Sequence, residues 1–239
     1  MADITDRSGT GGPPPGLAVW TDFGGVLTPP VDVTFRDFGA RTGVPVHALK
    51  EAMRLVGEAH GTDSMGVLDI PLLSEPDWEK EVEEVLADGF GLAVDLSSFG
   101  ERWFAGRGAN QDWLRELTAL RARGAYVGLL SNLPPSWERH RRYMVDDAHF
   151  DGIVCSYAVG CRKPEPEIFR IAAARAGRAP WQCVLVDDLA KNCAGAEAAG
   201  WRAVHFQDAA QAAQELAALD AAPVPAAPVR PAAPVRTSR

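Results

Sequence analysis

Three apolar runs in this chain each close on a side chain able to do chemistry. Leu17 to Trp20 leads to Asp22, Tyr126 to Leu130 leads to Ser131, and Val184 to Val186 leads to Asp187 and Asp188. Lys163, in the run Gly160, Cys161, Arg162, Lys163, Pro164, lies between the second and third. Such runs read as strands, and strands that end together in a parallel sheet deliver their last residues to one crevice. Three carboxylates, a hydroxyl and an ammonium would then share a pocket. Carboxylates gathered without a cation repel one another and lose ionisation, so the cluster calls for a hard divalent metal; Mg2+, which prefers oxygen ligands, suits it. Phosphate chemistry is the natural use of that set.

Each signal alone is weak, because an apolar run ending in Asp is commonly a strand followed by a turn or a helix cap. The order of the four carries the argument. They need a scaffold, and the pattern supplies one. After residue 109 the chain alternates: helix 110–122, strand 125–130, helix 135–144, strand 152–156, helix 165–176, strand 182–186, helix 190–199, strand 202–206 and helix 208–219. Alternating helix and strand indicates an α/β fold, a Rossmann-like parallel sheet with helices on both faces. Residues 29–108 instead show helical periods near 34–42, 46–58, 75–87 and 97–106. Pro45, and the group Ser74, Glu75, Pro76 and Asp77, read as helix starts. The core is therefore expected over 17–28 and 109–220, with an all-helical insertion at 29–108.

The ends differ in kind. Residues 1–16 carry Gly11, Gly12, Pro13, Pro14 and Pro15, and 221–239 repeat Ala, Pro and Val. Neither offers a periodic apolar face, so both are expected to be disordered or extended.

With 239 residues, 46% of them hydrophobic, the chain can bury a sizeable core. A net charge of −8 argues against a nucleic-acid partner, which needs a basic stripe. Cys155, Cys161, Cys183 and Cys193 fit no zinc spacing and no disulfide framework, so buried thiols are expected. No apolar run is long enough to span a bilayer and no signal-like start is present. A cytoplasmic protein without a membrane partner is the expectation; the oligomeric state is left open.

The four groups, in this order, resemble the motifs of the haloacid dehalogenase (HAD) superfamily over roughly residues 17–219. Motif one corresponds to Asp22, Phe23, Gly24, Gly25, Val26, Leu27 and Thr28; motif two to Leu129, Leu130, Ser131 and Asn132; motif three to Lys163 and Pro164; motif four to Asp187, Asp188 and Asn192. The helical insertion resembles that superfamily's type C1 cap. The resemblance implies a Mg2+-dependent phosphatase in which Asp22 attacks phosphorus. It further implies that Asp22, the carbonyl of Gly24 and Asp188 hold the metal, with Asp187 a supplementary ligand or a support. Asn192, one helical turn after Asp188, could fix the metal or its water. Ser131 and the Asn132 amide would hold phosphoryl oxygens, and Lys163 would supply a point charge. Only four of the 24 basic residues are lysines, which makes a lysine at that position more telling.

One departure stands out. Most phosphatases of the superfamily have a second Asp two residues after the nucleophile, and here that position is Gly24, which cannot transfer a proton. Three readings follow: a phosphatase whose leaving group needs little protonation or whose acid lies elsewhere, with His60, Asp63 and Asp69 of the cap as candidates; a haloacid dehalogenase; or a catalytically weak phosphate-binding or regulatory protein. The first leads, with a small phosphorylated metabolite as partner and sugar phosphates first among substrates. Asp187 and Asp188 argue against the second. The run Arg139, His140, Arg141, Arg142 reads as a solvated helix face, Lys191 as solvent-facing, and Trp78, Trp103 and Trp113 as core anchors.

Overall fold

In a computed structural model of the chain, residues 16–221 are described. The expectations for 1–16 and 221–239 lie outside those residues, except at Gly16 and at Ala221, which is helical. Five strands, β1 (Ala18–Thr21), β2 (Tyr126–Ser131), β3 (Gly152–Cys155), β4 (Cys183–Asp187) and β5 (Arg202–His205), form one parallel sheet in the order β3-β2-β1-β4-β5. Between β1 and β2 the chain runs through helices α1 (Val31–Thr42), α2 (Val46–Ala59), α3 (Gly66–Asp69), α4 (Glu75–Phe90) and α5 (Phe99–Phe104). The remaining helices are α6 (Gln111–Ala122), α7 (Glu138–Met144), α8 (Ser156–Val159), α9 (Pro166–Ala176), α10 (Ala190–Ala198) and α11 (Ala209–Ala221).

Strand alternation divides the core in two. Val19, Val127, Leu129, Val184 and Val186 face one side, with Trp113, Leu114 and Leu117 of α6 and Ala212 and Leu216 of α11. Ala18, Trp20, Leu130, Cys183 and Leu185 face the other, with Ile168, Phe169 and Ala172 of α9 and Ala196 of α10. Successive side chains of a strand point to opposite faces, so a sheet covered on both sides needs apolar residues at every position. Trp20 pairs in register with Gly128, and any side chain at 128 would collide with the indole ring. The first of the two cores continues from the sheet into the insert, taking in Phe38, Leu49, Trp78 and Phe99.

The insert is tied down at several points. Asn110 donates from its amide to Leu27 O at 2.9 Å and from its side chain to Val26 O at 3.0 Å, holding the exit of the insert against its entrance. Ser156 Oγ donates to Asp69 O at 2.7 Å, and Trp137 Nε1 to Glu75 Oε1 at 2.9 Å. Pro45 and Ser74 precede α2 and α4, Ser74 accepting from the Asp77 amide, as the local residue types predict.

Several boundaries differ from the sequence reading. Ser131 and Asp187 are the last residues of their strands, not the first beyond them. The helix expected over 135–144 begins with a 3-10 turn, Pro135–Trp137. Helices α3 and α8, four residues each, carry no sequence signal because one turn has no period to detect.

Candidate active site

Strand β1 is central, with β2 on one side and β4 on the other, so the connections leave in opposite directions and open a crevice above its carboxyl end. Asp22 is the first residue past β1, and its amide donates to Val186 O at 2.9 Å, which sets it level with Asp187. Lys163 reaches between them. Its Nζ lies 2.8 Å from Asp22 Oδ1 and 2.5 Å from Asp187 Oδ2, with all three side chains nearly removed from solvent. Asp187 also accepts from the Leu189 amide and from Asn192 Nδ2. Burial opposes the charge on Lys163, but the two carboxylates outweigh it and hold the ammonium above its ordinary range.

Asp188 completes the acidic set. Ligand oxygens of Asp22, Asp187 and Asp188 lie within 4.8 Å of one another. Burial, aided by Asp187 and opposed by Lys163, pushes Asp22 up to about 6; burial with Asp22 and Asp187 pushes Asp188 up to about 7. A cluster that cannot ionise freely alone is one that a cation relieves. Asn192 Oδ1 is buried without a hydrogen-bond partner, leaving one neutral oxygen for an ion or its water. The donor set fits a hard divalent metal. Gly25 sits at φ +76° directly against the Asp188 carboxylate, whereas Gly24 has open space where a side chain would project.

The remaining motif residues fall in the same cavity, which Asp22, Gly24, Ser131, Asn132, Lys163, Asp188 and Asn192 all line. Ser131 is buried, its hydroxyl making only a long 3.4 Å contact to Asn132 O. The Asn132 side chain does something the sequence did not disclose: it accepts from the Lys163 amide at 2.8 Å and donates to Lys163 O at 2.9 Å. That pair of hydrogen bonds clamps the backbone carrying Lys163. Asp188 lies before α10 and not on one helix face with Asn192, whose side-chain Nδ2 donates to Asp187.

Of the alternative acids, His60 pairs with Glu81 at 2.8 Å and does not line the cavity. Asp63 and Asp69 do line it. Arg162, next to Lys163, holds Asp63 at 2.8 Å and Asp69 at 3.0 Å, and Lys191 reaches Asp63 at 2.9 Å. Burial raises Asp63, but hydrogen bonds from Arg162 and Lys191 outweigh it and pull it down to about 2. For Asp69, burial wins over Arg162 and pushes the carboxyl up to about 7. Lys191 is half-exposed as expected, yet engaged.

One other expectation changes. Arg141 is wholly buried, paired with Glu138 and Asp147 at 2.6 Å each, so the basic run is not a uniformly solvated face. Glu138 three residues earlier was the available signal. Trp78, Trp103 and Trp113 are all buried core residues, and Trp103 also lines the cavity. All four cysteines are buried and free. No helix among the described residues is long and apolar enough to cross a membrane.

A strand-end aspartate and a buried lysine under a helical insert define a hydrolase-type α/β site. The sequence profile of haloacid dehalogenase-like hydrolases matches residues 18–200, and the chain belongs to that family. It is 38% identical over 90 residues to a phosphoserine phosphatase from Thermus thermophilus, covering 37% of this chain and 36% of that protein. It is 29% identical over 101 residues to the sesquiterpene phosphatase astK of Aspergillus oryzae, covering 42% and 52%. The chain thus spans about a third to half of the length of these relatives. Its fold is shared by a HAD family enzyme from Bacteroides thetaiotaomicron, solved with magnesium and inorganic phosphate, at a TM-score of 0.60 and 21% identity over 81% of this chain and 95% of that one.

Proposed function

We infer that this protein is a Mg2+-dependent phosphatase that hydrolyses a small phosphate monoester through an aspartyl-phosphate on Asp22, with the helical insert acting as a C1-type cap. The observation that carries the reading is the Asp22 carboxylate held 2.8 Å from the Lys163 ammonium, in one cavity with Asp188 and Asn192. Two relatives named as phosphatases support it.

Asp22, the Gly24 carbonyl and Asp188 would hold the ion, with Asp187 and Asn192 supporting them. A bound Mg2+ supplies charge neutralisation between the nucleophile and the phosphate. Asp22 Oδ then bonds to phosphorus as the bond from phosphorus to the alcohol oxygen breaks. Lys163, the Ser131 hydroxyl and the Asn132 amide bind the phosphoryl oxygens and stabilise their charge. The alcohol oxygen takes a proton as it leaves, and water then cleaves the acyl phosphate, returning Asp22 and releasing phosphate. Gly24 stands where most superfamily phosphatases carry the proton-transferring Asp. Asp69 is our candidate for that proton. It lines the same cavity, Arg162 pairs with it at 3.0 Å, and burial raises its carboxyl to about 7, so that about half of it carries a proton at neutral pH while Asp63 stays ionised.

The test is phosphate release from a panel of monoesters with and without Mg2+, against Asp22→Asn. Turnover that needs the metal and vanishes in the variant is expected. The empty proton-transfer position at Gly24 favours one second reading, a phosphate-binding protein without turnover. Tight binding of a phosphate mimic with no release from any ester would select it.

A further inference from the structure

The cavity above Asp22 has a volume of about 330 Å³. At about 30 Å³ for a water-sized group, that is roughly eleven such groups, so a phosphate fills only part of it. Its floor is polar, formed by the strand-end residues already described. Its walls are not. Phe35, Met53, Phe99, Trp103, Phe104 and Trp137 line them. These rings form one connected surface: Phe99 stacks on Trp103 at 5.5 Å between centroids, Trp103 on Trp137 at 6.2 Å, and Phe104 meets Trp137 edge-on at 5.2 Å. The surface begins at the nucleophile itself, because Phe23, next to Asp22, lies 6.1 Å from Phe104.

Most polar groups on those walls are already engaged within the protein. The Thr34 hydroxyl donates to Pro30 O; the Thr28 hydroxyl accepts from the Gly25 amide. Asp63 is held by Arg162 and Lys191, and Arg162 by Asp63 and Asp69. The Arg107 guanidinium lies over Trp103 at 4.7 Å and Phe104 at 5.4 Å, extending the aromatic surface. Ser64, the buried outer nitrogen of Arg107, the buried Arg162 Nε and the spare donors of Lys191 remain, a few polar points beside a continuous aromatic surface.

A sugar brings several hydroxyls into this space, and each one buried without a partner costs roughly tenfold or more in transition-state binding. An apolar group gains by leaving water, and aromatic walls with few polar points are how hydrophobic ligands are held. We propose that the alcohol half of the substrate is apolar, an aromatic or branched hydrocarbon alcohol carrying the phosphate, and not a sugar. This rests on the phosphatase reading above and replaces sugar phosphates as the first class to test.

The experiment compares kcat/KM of the Mg2+-loaded full chain for decyl phosphate, 3-phenylpropyl phosphate and glucose 6-phosphate, all esters of primary alcohols, with acetyl phosphate as a small activated control. Binding of decyl phosphonate and of glucose 6-phosphate to Asp22→Asn, followed by calorimetry at several temperatures, runs beside it. The apolar esters are expected to lead glucose 6-phosphate by about a hundredfold or more, and decyl phosphonate to bind correspondingly tighter with a negative heat-capacity change. Trp103→Ala should collapse that ratio by at least tenfold, and Met53→Ser should do so if the first variant does not fold. Equal or better use of glucose 6-phosphate would overturn the proposal while leaving the phosphatase standing. If neither the esters nor acetyl phosphate is cleaved, the phosphatase reading fails; the two binding constants then decide the lining's preference, with preferential apolar binding supporting it and equal or sugar-preferring binding overturning it.

Discussion

The carboxylate of Asp188 fills the space that a side chain on Gly25 would occupy, so an added Cβ at 25 would overlap its Oδ2. The neighbouring Gly24 meets nothing within 4 Å of the same construction. Two adjacent glycines therefore have opposite tolerances. Gly25→Ala also forces a side chain onto a left-handed backbone, and is expected to destabilise by about 1–3 kcal/mol. It should displace Asp188 and lower kcat/KM about a hundredfold or more. Gly24→Ala should fold as the parent does, within about 1 kcal/mol. Gly24→Asp should help most with esters of poorly acidic alcohols. Melting temperatures and phosphate release on a leaving-group series read all three.

Lys163 stands between two buried carboxylates, and its removal leaves them uncompensated. Lys163→Met should cost about 3–5 kcal/mol in urea unfolding and abolish turnover. Asp22→Asn should do the reverse for stability. Burial already disfavours the charged form of Asp22, so the neutral amide is expected to be as stable as the parent or more so, with no turnover. A strongly destabilised Asp22→Asn would contradict this account of the site.

Asp69 gives stability a pH dependence whose sign is fixed. Its carboxyl is pushed from 3.8 to about 7 on folding, so between those values the native state binds a proton that the unfolded chain has released. Stability must then fall as pH rises through that window, by at most about 1.4 kcal/mol per pH unit from this group. Asp22 and Asp188 act in the same direction, so the contribution of Asp69 is read by difference. In chelator, the unfolding free energy of Asp69→Asn should decline less steeply from pH 4 to 7 than that of the parent. Parallel slopes would remove Asp69 as a protonated group. On the proposed role, the same variant should lose rate chiefly with poor leaving groups.

The Asn132 side chain makes two hydrogen bonds to the backbone of Lys163. Asn132→Ala should cost about 1–2 kcal/mol and lower kcat roughly tenfold with less effect on KM, because the lysine is left in place but less firmly held. Asn132→Asp should rescue only the bond from the Lys163 amide. An unchanged kcat in Asn132→Ala would show that the clamp does not position the lysine.

What the sequence determined by itself is what local pattern can carry. Leu17 to Trp20, Tyr126 to Leu130 and Val184 to Val186 could be read as strands, and Asp22, Ser131, Asp187 and Asp188 as their terminal residues, because a strand covered on both faces must be continuously apolar and must end where polarity begins. Helix starts at Pro45 and Ser74 were legible for the same reason: capping is decided within four residues. The tertiary structure decided which groups meet at a distance. Arg162 and Asp69 are 93 positions apart and Asn132 and Lys163 are 31 apart, and no local signal joins either pair. Arg141 looked solvated until Asp147 and the packing around it took it out of water. Trp103 and Trp113 look alike in sequence and both are buried in the core, yet Trp103 also lines the cavity. Periodicity follows from the geometry of one element, whereas a side chain's partner and its protonation depend on how separate elements pack, which only the folded chain settles.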